Sequence, residues 1–82
     1  MRFAVWPNAA QPWSDIVEVA RHAEATGWDG VYIADHFMGD NERAGGTVSP
    51  TFEATALLAA LAQATDRVRL GSLVFGITYR HP

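Results

Sequence analysis

No cysteine occurs in the sequence, which excludes disulfides, thiolate metal sites and cysteine nucleophiles and suits a reducing compartment. Lysine is absent too. The six basic residues are all arginines, set against nine carboxylates for a net charge of −3, so no basic stripe is present to neutralise a phosphate backbone. A nucleic-acid partner is not expected. The longest purely apolar run, residues 56–62, falls far short of the roughly 20 residues a membrane span needs. Ahead of Pro7 stand one arginine and Phe3-Ala4-Val5-Trp6, too short for a signal-peptide hydrophobic region. A cytoplasmic protein with no membrane partner is the expectation. What is present is ordinary globular composition, 49% hydrophobic and 18% charged over 82 residues, enough for one small core or part of one.

Residues 2–6 form a short β-branched and aromatic run stopped by Pro7-Asn8, which predicts a first strand. From Trp13 the period changes. Ile16, Val19, Ala20 and Ala23 recur at three- and four-residue spacing, with Asp15, Glu18, Arg21 and Glu24 mainly between them, the pattern of an amphipathic helix. Ser14 suits its N-cap and Gly27 a left-handed C-terminal stop. Residues 30–34 are again apolar and β-prone and break at Asp35-His36, a second strand. Residues 38–48 are polar and glycine-containing, a long loop of the kind that often carries function. Ser49-Pro50 then reads as a helix start, and the alanines at positions 56, 59, 60, 62 and 64 predict a slim helix lying close to the sheet. Residues 68–75 are a third strand candidate.

The β-α-β-α-β order with near-continuous apolar strands predicts parallel strands joined by right-handed crossovers. Both a doubly wound sheet and a β/α barrel satisfy it. No G-x-G-x-x-G or P-loop glycine pattern follows the first strand, where Trp6-Pro7-Asn8-Ala9-Ala10 stands, so the nucleotide-binding doubly wound reading loses its main support. A complete barrel takes about 250 residues, which makes this chain roughly the first third of one.

Four segments occur in order: Gly27-Trp28-Asp29-Gly30-Val31-Tyr32-Ile33-Ala34-Asp35-His36-Phe37, Pro50-Thr51-Phe52-Glu53, Ala64-Thr65-Asp66-Arg67-Val68-Arg69-Leu70-Gly71-Ser72-Leu73-Val74, and Thr78-Tyr79-Arg80-His81-Pro82. Together they resemble the N-terminal part of the luciferase-like monooxygenases, in particular the branch that uses the deazaflavin F420. The resemblance implies a (β/α)8 barrel, here present as a partial one with three parallel strands and two helices. It also implies F420 or FMN at the C-terminal strand ends, and hydride passing between that cofactor and a small organic substrate. His36 is then the expected catalytic residue, and Asp35, Leu73, Val74 and Gly76 are the positions expected at the cofactor. The resemblance further places a non-proline cis peptide at Leu73–Val74.

The same residues have plainer readings. Asp35 can cap a turn and His36 fill a polar rim; with no resemblance, those readings would be favoured. Leu73 and Val74 suit ordinary core packing, and Gly76 either a close approach to a ring or a turn. Trp6 can line a pocket at the barrel mouth, whereas Trp13 and Trp28 read as packing anchors. Arg80 can meet a phosphate or pair with a helix carboxylate. Glu53 reads as a first-turn glutamate favoured by the helix dipole. His22 and His81 have no metal-ligand spacing with His36, and no metal is expected. A chain of this extent is expected not to catalyse by itself, since it lacks most of a pocket. The contrasting expectation is a non-catalytic partial-barrel module that self-associates through its open sheet edge, as a homo-oligomer or with the rest of a barrel.

Overall fold

The computed structural model describes residues 1–36 and 50–81, and shows the order β1 (Ala4–Val5), α1 (Trp13–Ala25), β2 (Gly30–Ile33), α2 (Ala54–Ala64), β3 (Arg69–Ser72), then a 3-10 turn at Ile77–Tyr79. The strands form one parallel sheet in the order β1-β2-β3. The α/β class and the β-α-β-α-β order are as the sequence predicts, while the strands are shorter than the apolar runs that announce them. Residues 38–48, the expected loop, lie outside the described residues.

Alternation along the strands decides which face is covered. Val31 and Ile33 are fully buried under the helices, with Val5 and Leu70 packed beside them, and Tyr32 points to the opposite face and stays exposed. Tyr32 lies over Gly71. A Cβ on Gly71 would stand 2.8 Å from Tyr32 Cε1, so the absence of a side chain there lets the ring lie flat across β3.

Helix α1 buries Ile16, Ala20 and Ala23, the predicted stripe with Val19 half-buried at its margin. It begins earlier than expected. Pro12, not Ser14, is the N-cap, with no side-chain cap; its carbonyl accepts from Asp15 N–H at 3.0 Å and Ile16 N–H at 3.2 Å, and Ser14 sits inside the first turn. The other end is as predicted. Gly27 has φ +86°, Trp28 N–H donates to Ala23 O at 2.9 Å and Gly27 N–H to Glu24 O at 3.4 Å, a Schellman stop that turns the chain into β2.

Helix α2 departs further from expectation. It starts at Ala54 behind a Glu53 N-cap, rather than at Ser49-Pro50, because the Glu53 carboxylate reaches forward to the Ala56 N–H at 2.8 Å. Phe52 N–H meanwhile binds Ala9 O at 3.1 Å, holding the preceding segment extended against the loop after β1. Its buried face is Ala54, Leu57 and Leu61; Ala56, Ala59 and Ala62 face outward. The alanines therefore do not bring the helix close to the sheet. Leucines make that contact.

The N-terminal end of the sheet is laced by polar contacts. Asp29 Oδ2 accepts from Phe3 N–H at 2.8 Å, and the Glu24 carboxylate accepts from the backbone N–H groups of Asp66, Arg67 and Val68. Those bonds, Val68's first and Arg67's next, hold the Glu24 carboxyl below the usual carboxylate range. No helix among the described residues is long and apolar enough to cross a membrane.

Candidate functional site

Parallel strands deliver their C-terminal ends to one side of the sheet. Trp6 follows β1, Asp35 and His36 follow β2, and Leu73 to Gly76 follow β3, so the chemistry-bearing residues singled out in the sequence are gathered at one end. The β3 side is joined to the β2 side by Leu73 N–H donating to Ile33 O at 2.9 Å and Gly76 N–H donating to Asp35 Oδ2 at 2.8 Å. The Leu73–Val74 peptide bond is cis, at the place the resemblance gives it.

Asp35 and His36 are adjacent but differently placed. Asp35 is only 5% exposed and lies among the core residues, whereas the imidazole of His36 belongs to an exposed residue able to meet a ligand. The Asp35 carboxylate is engaged by Arg80: Nε donates to Oδ2 at 2.6 Å and Nη2 to Oδ1. Arg80 also donates to Thr55 Oγ1 at 2.8 Å and to Glu53 Oε1, and its guanidinium lies 4.9 Å from the Phe75 ring centroid. Of the two readings of Arg80, pairing with a helix carboxylate is the one seen, with the strand-end carboxylate added. Glu53 thus does more than answer the helix dipole. The Ala56 N–H and then the Arg80 guanidinium lower its carboxyl to about 2, and Asp35 followed by Glu53 raises the Arg80 guanidinium further above its ordinary value.

Leu73, Val74 and Phe75 are exposed, Val74 at 70%, which excludes core packing as their role among the described residues. Gly76 has φ −79° and ψ 114°, open to any residue, and precedes the 3-10 turn. Trp6 is exposed at the same end of the sheet; Trp28 packs edge-on against Phe3 at 6.4 Å between ring centroids. His22 is exposed on α1, away from the strand ends. The Asp35–Arg80–Glu53 linkage was not legible from sequence, because its members stand 45 and 27 positions apart and no local pattern joins them.

The whole chain, residues 1–82, matches the family model for luciferase-like monooxygenases. The chain belongs to that family. Among curated proteins it is similar to an F420-dependent glucose-6-phosphate dehydrogenase of Tsukamurella paurometabola, 37% identical over 67 residues, covering 82% of this chain and 19% of the relative. A protein of the same name from Intrasporangium calvum is 35% identical over 78 residues, covering 93% of this chain and 22% of the relative. The chain thus spans about a fifth of the length of these relatives, 19% and 22%, less than the third expected from a barrel of about 250 residues. As in other luciferase-like chains, the parallel α/β arc presents its candidate site where barrel enzymes carry their chemistry.

Proposed function

We propose that this chain is the N-terminal part of an F420-dependent oxidoreductase, with the strand ends of β2 and β3 forming one side of its cofactor site. The observation that carries this reading is the exposed His36 beside the exposed segment 73–76, in a chain whose curated relatives are named for F420. The residues suit such a group. Leu73 and Val74 expose apolar surface of the kind a flat ring system covers, and His36 can exchange a proton near neutral pH. When bound, F420 supplies the hydride-accepting or hydride-donating ring.

In this reading His36 holds or moves the proton that accompanies oxidation or reduction of a small organic substrate. Leu73 and Val74 exclude water from one side of the site, and Gly76 fixes the loop by its bond to Asp35, which serves the cofactor site from beneath. FMN is the competing cofactor. The 82 residues alone hold too little of a pocket to catalyse, and the full protein works in the cytoplasm. The test is fluorescence titration of the full polypeptide with F420 and with FMN, followed by an assay with glucose 6-phosphate, the substrate in the relatives' names. Saturable F420 binding with FMN excluded is expected; FMN binding without F420 binding would overturn the cofactor assignment.

A second reading has its own support: the sheet face bearing Tyr32 and the exposed Phe3, Trp6, Phe75 and Ile77 are apolar surface that a further copy of the chain can bury. Sedimentation of the 82-residue chain over a range of concentrations distinguishes it. A defined dimer supports this reading, and a monomer throughout excludes it.

A further inference from the structure

The segment after β3 is held in place by polar contacts and not by packing. Leu73, Val74, Phe75 and Ile77 are 48%, 70%, 50% and 83% exposed, so little apolar burial ties residues 73–80 to the sheet. What does tie them is Asp35. Its side chain is 4% exposed, its Oδ2 takes the Gly76 N–H and Arg80 Nε, and its Oδ1 takes Arg80 Nη2. A buried carboxylate requires such partners, and Arg80 extends the linkage to the start of α2 through Glu53 and Thr55.

We infer that Asp35 and Arg80 are positioning residues, a buried ion-pair clamp that sets residues 73–80 against the end of β2 beside His36, with Asp35 itself making no contact with cofactor. The inference rests on the proposed function only for what the clamp serves. The clamp itself is a property of the chain. Because one guanidinium meets Asp35 in a fork while reaching Glu53 and Thr55, an ammonium at position 80 keeps the charge and loses the geometry.

The test uses the full polypeptide with Asp35→Asn, Arg80→Gln and Arg80→Lys, and reads amide hydrogen exchange without ligand alongside F420 affinity by fluorescence. Exchange across residues 73–80 is expected to quicken about tenfold or more in all three variants, Arg80→Lys included, while α1 stays protected. F420 affinity is expected to weaken about tenfold, following the loop. Where Asp35→Asn fails to fold, Glu53→Gln at the exposed rim gives a milder rise of roughly twofold. Unchanged exchange at 73–80 overturns the clamp. Equal acceleration in α1 and the loop, or a loosened loop with unchanged F420 affinity, overturns the positioning role. A wild-type protein that does not bind F420 contradicts the proposed function, and the ligand-free exchange arm then decides the clamp by itself.

Discussion

His36 and Asp35 show how one dipeptide divides its labour. The histidine is exposed and the aspartate is buried beneath it, so proton handling is expected of the first and anchoring of the second. Replacing His36 with Gln is predicted to lower turnover by about 10²–10⁴-fold while leaving F420 binding nearly unchanged, measured by steady-state kinetics and fluorescence titration. Gly27→Ala should cost about 1 kcal/mol in denaturant unfolding, since φ +86° suits glycine and little else. Glu53 carries the pH dependence. Its carboxyl is lowered from 4.5 to about 2, so its contribution is present above about 4.5 and is lost as pH falls towards 2. Acid unfolding of Glu53→Gln should therefore show a shallower loss over that window, with the difference shrinking at high salt. Gly27 was legible because a C-terminal stop is a local signal. The Arg80 pairings were not, because only the fold brings positions 35, 53 and 80 together.

At the scale of elements, strand and helix order followed from period and punctuation, whereas helix starts and the buried face of α2 did not. The N-caps differed because Pro12 and Glu53 do the work that Ser14 and Ser49 were expected to do, a long carboxylate reaching one turn forward in the second case. An alanine-rich helix offers little contrast between its faces, so Leu57 and Leu61 decide which side is buried. Leu61→Ala is expected to cost about 2–5 kcal/mol by denaturant unfolding, and Ala59→Leu on the outward face to stay within about 0.5 kcal/mol. Equal effects would place the buried face elsewhere.

For the whole molecule, one sheet face lies under two helices and the other exposes Tyr32 over Gly71, an arrangement that suits an arc of a larger barrel. The family was legible in four short segments, since strand ends and the turns beside them carry the residues that function demands. The share of a full-length relative was not, because barrel enzymes differ widely in their insertions. The most direct test of a cofactor site at the C-terminal strand ends is amide hydrogen exchange of the full polypeptide with and without F420. Slowed exchange confined, within this chain, to residues 34–36 and 73–80 is the predicted result. Protection instead around Glu24, Asp29 and Arg67 at the opposite end of the sheet, with the strand ends unchanged, would contradict it.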